Sequence, residues 1–184
     1  MYNLDGLIMK NFSLIFLLFS GFATTSLFAQ QMNATINDPV RNRVILIDQV
    51  NREGLLKGEI GEFFQPDYDA YRPDSLSIEQ LKGKLDNISI HIVFGSWCGD
   101  SKDQLPRFLK VLDQIGFNGS QLKMTAVDSH KTGRNIDLGG LNILKVPTFV
   151  VYRKSVEIGR IIETPLDLLE KDLLQILEKD SLQP

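Results

Sequence analysis

Between residues 88 and 115 the apolar pattern changes period across one short turn. Ile88, Ile90, Ile92 and Phe94 share one face of a β-branched run, with Ser89, His91 and Val93 on the other. That alternation predicts a strand. Leu105, Phe108, Leu109, Leu112 and Ile115 then recur at helical spacing, and Gly116 offers a C-cap. Pro106 lies inside this helix and is expected to bend it. The turn between them is Gly95-Ser96-Trp97-Cys98-Gly99-Asp100-Ser101. His91, alone on its strand face, reads as a packed or half-exposed residue rather than a catalyst.

Around this unit the chain alternates. Residues 30–40 read as a linker, and Val44-Ile45-Leu46-Ile47 as a short strand. Pro66 to Pro73 reads as loop, its tyrosines as packing staples. Ser77 with Gln80 resembles a capping box opening a helix through Leu81 and Leu85. Leu122 to Asp128 reads as a strand, and Ser129 to Gly140 as a polar loop with room for one helical turn. Val146 to Tyr152 is a strand opened by Pro147. Val156 to Glu163 is its hairpin partner across Lys154-Ser155. Thr164 is expected to cap a last helix with Pro165 at its first position. Leu166, Leu169, Leu173, Ile176 and Leu177 form that helix's inner stripe. No internal repeat is visible. The order predicts an α/β fold: a mixed central sheet with helices on both faces.

Composition narrows the function. The chain has 184 residues, a net charge of −3 and a pI near 5.4, which argues against a nucleic-acid footprint. Cys98 is the one cysteine, so an intramolecular disulfide, a Cys-rich zinc site and an iron–sulfur cluster are excluded. With two histidines, His91 and His130, a His-based metal site is disfavoured, and no cofactor is expected. His130, Lys131 and Arg134 read as a solvated basic loop.

The N-terminus reads as an address. Lys10 precedes the run Phe12 to Phe19, then small or apolar residues to Ala29, then Gln30-Gln31. Basic, apolar, small is the order of a secretory signal peptide, here cut after Ala29. Met9 is the more normal initiator, since Met1 to Asp5 carries an acid and no base. The alternative is an uncleaved anchor, because no charge falls between Asn11 and Asn37. Cleavage leaves no stable membrane insertion and a periplasmic or secreted chain: an N-terminal extension, 30–74, and a domain, 75–184. The 155 residues left after removal of 1–29 can bury roughly 68–70% of their unfolded surface and need no disulfide staple. Nothing here sets an oligomeric state.

Three features taken in order resemble the thioredoxin superfamily. They are Trp97-Cys98-Gly99-Asp100-Ser101-Lys102 between strand and helix, Pro106 eight residues after the cysteine, and Val146-Pro147-Thr148 later on. The resemblance covers about residues 75–180 and implies a thioredoxin-like three-layer fold with a cis-proline before the fourth strand. It also implies Cys98 as nucleophile with Ser101 beside it, and a substrate groove formed by Trp97, Gly99, Asp100, Val146, Pro147 and Thr148. Two residues depart from the family: Ser101 replaces the resolving cysteine, and Ile92 replaces a buried acid. The losses are coherent, since without a second thiol that acid has no proton to move. A peroxidase is disfavoured because Gly95 stands where the Thr-x-x-Cys pattern needs threonine.

Cys98 just before a helix meets unpaired N–H groups and a dipole that stabilise a thiolate. Lys102 is expected to add positive charge and Ser101 a hydrogen bond to sulfur. Asp100 opposes both, or serves simply as a helix-start acid. Two functions stay open. One is monothiol exchange through mixed disulfides with protein or small-molecule thiols. The other is a non-catalytic peptide-binding module on the same scaffold. In either, the Pro147 segment would present backbone to an extended partner.

Overall fold

The structure, a computed structural model, describes residues 31–181; the signal-peptide reading of residues 1–29 lies outside them. It begins with a hairpin of β1 (Thr35–Asp38) and β2 (Arg43–Leu46), then β3 (Asp48–Gln49). Helices α1 (Arg52–Leu55), α2 (Gly58–Ala70) and α3 (Ser75–Lys82) follow. Next come β4 (Ile88–Phe94), α4 (Gly99–Gln114), β5 (Leu122–Ala126), β6 (Thr148–Arg153), β7 (Val156–Ile162) and α5 (Leu169–Ser181).

One sheet runs in the order β3-β5-β4-β6-β7, with β4 and β5 parallel and the other neighbours antiparallel. This is the mixed α/β, thioredoxin-like architecture the sequence predicts. β4 is central because it has little to show water: Ile88, Ile90, Ile92 and Phe94 are all buried. Each such side chain contributes about 1.5–3 kcal/mol. They share a core with Phe108 of α4, Phe149 of β6 and Leu173 of α5. Ile92 sits opposite Met124 and Phe149 in that core. A smaller cluster of Val93, Val127, Leu138 and Val146 includes packed side chains from the loop holding the 3-10 helix Gly139–Leu141. The β6–β7 turn falls at Lys154 and Ser155, both at positive φ, as a two-residue hairpin requires. His91 is buried, its Nε2 2.9 Å from Thr125 Oγ1.

Four local expectations are corrected. Residues 30–40 contain strand β1, paired with β2 from Thr35↔Leu46 to Asp38↔Arg43. Pro66 to Ala70 is the end of α2, not loop: Ile60, Phe64 and Tyr68, four apart, pack on the core, and that burial outweighs the lost proline amide. Asp74, not Ser77, caps α3; its carboxylate accepts from the Ser77 amide at 2.8 Å and the Ser77 hydroxyl at 2.7 Å. The last helix starts at Leu169, because Asp172 turns back to accept from the Leu166 and Asp167 amides. Leu166 is therefore 96% exposed and leaves the inner stripe, while Leu169, Leu173 and Leu177 remain in it.

The segment before residue 75 is built into these layers. β3 extends the sheet at β5, and Glu170 of α5 accepts from the Tyr71 hydroxyl and the Asp74 amide, both at 2.7 Å. Among the described residues no helix is long and apolar enough to cross a membrane.

Candidate functional site

Strand β4 ends at Phe94, and the chain turns at once: the Cys98 amide donates to the Gly95 carbonyl at 2.9 Å. Cys98 is then the extended N-cap residue of α4, with no side-chain cap bond. Its carbonyl accepts the Lys102 amide at 3.1 Å, so the backbone enters the helix and leaves the thiol outside it. The thiol is free and half-buried. It donates to the Val146 carbonyl at 3.3 Å, across 48 residues of chain.

That carbonyl is fixed in place. The Val146–Pro147 peptide bond is cis. Val146, Pro147 and Thr148 are buried, the Thr148 hydroxyl donates to the Lys145 carbonyl at 2.7 Å, and Thr148 registers with Val93. Pro147's own carbonyl accepts from the Glu163 amide at 2.7 Å. Cys98 and the Val146-Pro147-Thr148 segment, widely separated in sequence, are thus neighbours.

Trp97 is held on three sides. Its indole N–H donates to the Val127 carbonyl at 2.9 Å. The Arg41 guanidinium lies 4.1 Å over the ring. Beneath the ring is Gly95, where an added Cβ would stand 2.6 Å from the indole. Glycine is required here for space, not for an unusual φ.

Two expectations about Cys98's neighbours are corrected. Ser101 is fully buried, and its hydroxyl accepts from the Gly95 amide at 3.2 Å, so it braces the turn and forms no bond to the sulfur. The Lys102 ammonium pairs with Glu59 of α2, which also binds Arg43. Those two cations, Lys102 foremost, hold the Glu59 carboxyl below its usual range. Lys102's charge is therefore spent on Glu59. Gly99 and Asp100 are exposed in the first turn of α4. Asp100 acts with Glu163 to raise the Lys145 ammonium's pKa, Glu163 being the larger influence.

Sequence reasoning missed the braces. Ser96, buried, accepts the Leu46 amide at 3.0 Å and ties the turn to β2. Asp38, buried at the tip of β1, accepts the Ser129 hydroxyl at 2.6 Å and amide at 3.1 Å, and also the Val40 and Arg41 amides. Those bonds, the Ser129 hydroxyl first, lower its pKa. A signal was present: Asp38-Pro39 and Asn42 mark a turn between the alternating stretches Thr35-Ile36-Asn37 and Arg43-Val44-Ile45.

No family model matches the chain, and no curated protein matches it. Several solved structures are similar in backbone. A protein of unknown function from Pseudomonas aeruginosa aligns with 18% identity and a TM-score of 0.48, over 67% of this chain and 84% of that one. A Fasciola hepatica thioredoxin aligns with 17% identity and a TM-score of 0.36, over 55% and 89%. A mitochondrial thioredoxin from Saccharomyces cerevisiae aligns with 19% identity and a TM-score of 0.36, over 61% and 98%.

The chemistry rests on this chain's own side chains. One thiol stands at a helix start, beside an ordered carbonyl and next to a pinned tryptophan. Such a sulfur can attack a disulfide and hold the product as a mixed disulfide. It cannot resolve that product internally, because the chain has no second cysteine.

Proposed function

We propose that Cys98 performs thiol–disulfide exchange as a single nucleophile, in an exported chain freed of its first 29 residues. The supporting observation is the half-buried thiol at the start of α4, 3.3 Å from the Val146 carbonyl. The Cys98 thiolate attacks one sulfur of a partner disulfide, its proton having gone to solvent. A new S–S bond forms and the partner's other sulfur leaves as thiolate. Cys98 sulfur is oxidised and the leaving sulfur reduced. An external thiol then attacks the partner's sulfur in the mixed disulfide and restores Cys98. The Lys145–Pro147 backbone aligns an extended partner beside the sulfur. Partners are protein or small-molecule disulfides.

A binding module without exchange is the second reading. It is favoured by the pairing of Lys102 with Glu59, which removes the cation nearest in sequence on α4. The two separate in one experiment. Full-length chain is treated with an oxidised cysteine peptide, quenched in acid and weighed intact. Exchange predicts one peptide per chain, complete loss of the adduct in Cys98→Ser, and release by added thiol. Peptide bound by Cys98→Ser in an equilibrium titration in native buffer, with no covalent adduct on the wild type, would establish the binding module instead.

A further inference from the structure

The hairpin β1–β2 brings a cation to the site that the pattern around Cys98 does not announce. Asp38 grips Ser129, and Ser96 holds Leu46, so the tip of the hairpin is fixed beside the turn that carries Trp97 and Cys98. From that tip Arg41 reaches over the indole, and its Nε donates to the Ser129 hydroxyl at 3.1 Å. Its two terminal nitrogens have no acceptor among the described residues. Arg41 is exceptional in this. Arg43, Arg52, Arg107, Arg134, Arg153 and Arg160 are each paired with a carboxylate, and Arg72 with backbone carbonyls.

The nearby acids are already occupied. Asp38 is satisfied by two amides of its own hairpin and by Ser129. Asp128 is satisfied by the His130 and Thr132 amides, the Thr132 hydroxyl and Arg134. Trp97 therefore carries, on its flat aromatic support, a guanidinium whose terminal nitrogens are open to a ligand, with exposed His130 in the adjoining loop. Asp100 is exposed in the first turn of α4, and Lys145 is committed to Glu163.

We propose that Arg41 sets the substrate class of the Cys98 site: disulfides bearing a carboxylate next to the sulfur, with the carboxylate on the Trp97 side. Arg41 binds the carboxylate through its two free N–H₂ groups while the indole keeps the guanidinium plane in position. The inference rests on Cys98 exchange and adds the ligand's charge and orientation. It gives residues 35–46 a role as a wall of the site.

The test compares rates of mixed-disulfide formation on the full chain with dithiodipropionate, hydroxyethyl disulfide and cystamine, which are anionic, neutral and cationic. Each rate is divided by that of the same chain unfolded in urea, which cancels the intrinsic reactivity of each reagent. The wild type is expected to favour the anion over the cation by about three- to tenfold at low salt, an advantage that shrinks as salt screens the charge. Arg41→Gln is expected to remove the preference, and Arg41→Lys to keep part of it. A second arm uses two short peptide disulfides, with Glu or Gln beside the cysteine. Preference in the first arm alone assigns a small-molecule disulfide, and preference in the peptide arm a protein. An equal rate for anion and cation, or a preference unchanged in Arg41→Gln, overturns the proposal while leaving exchange standing. No reaction with any reagent overturns both.

Discussion

Alanine at position 95 is expected to unseat Trp97. The added Cβ would lie 2.6 Å from the indole Cε2 and 2.8 Å from Nε1. The ring cannot swing aside cheaply, because the Val127 carbonyl holds its N–H and Arg41 covers its face. Overpacking of about 1–3 kcal/mol adds to about 1 kcal/mol for the displaced hydrogen bond, so a loss of about 2–4 kcal/mol is expected in urea unfolding. The change has a clean optical signature, since Trp97 is the one tryptophan in the chain. Emission should move to the red and acrylamide quenching should rise. Unchanged emission with unchanged stability would show that the indole does not rest on Gly95.

His91 is expected to weaken the fold in mild acid. Burial, assisted by the Lys123 charge, pushes its pKa down to about 4 from the ordinary 6.5. The folded chain therefore keeps the ring neutral where the unfolded chain takes up a proton. The stability this represents is complete above pH 6.5, declines as pH falls toward 4, and is gone below that. The difference corresponds to on the order of 3 kcal/mol in full, with about 2 kcal/mol lost by pH 5. The lowered carboxyls of Asp38, Glu59, Asp74 and Asp128 act at more acid pH, from the ordinary carboxylate range downward. The interval from 6.5 to 5 consequently belongs mainly to His91. Urea midpoints measured at pH 7 and pH 5 should fall in the wild type and hold nearly steady in His91→Gln. A wild-type midpoint that does not move would contradict a buried neutral histidine bonded to Thr125.

The middle of the sheet was legible because it is locally over-determined. β4 has isoleucine at three alternate positions, and the β6–β7 turn falls on the Lys154-Ser155 pair that the pattern marked. The elements that misled are decided by distant partners. β1 carries Thr35, Asn37 and Asp38, a polar stretch whose turn is marked locally but whose place against the rest of the fold is set where Asp38 meets Ser129, 91 residues away. α2 continues through Pro66 because its far side is packed. α5 begins late because Asp172 claims two amides ahead of it. The site divides along the same line. Cys98 at a strand–helix junction can be read from local pattern, and its pairing with Val146-Pro147-Thr148 from the family resemblance. The fates of Lys102 and Ser101 could not be read that way: one goes to Glu59, 43 residues earlier in the chain, and the other folds back on Gly95. Arg41 was invisible for the same reason, since only the closed hairpin brings it over Trp97.

Whether the Cys98 sulfur is chemically available in the folded protein is read from the rate of exchange with neutral hydroxyethyl disulfide, in native buffer and across a series of urea concentrations. The account predicts reaction of the native chain at least as fast as that of the unfolded chain at the same pH, with no dependence on global stability. A rate that vanishes in native buffer and rises only as the chain unfolds would place the thiol inside the protein, and the account would be wrong.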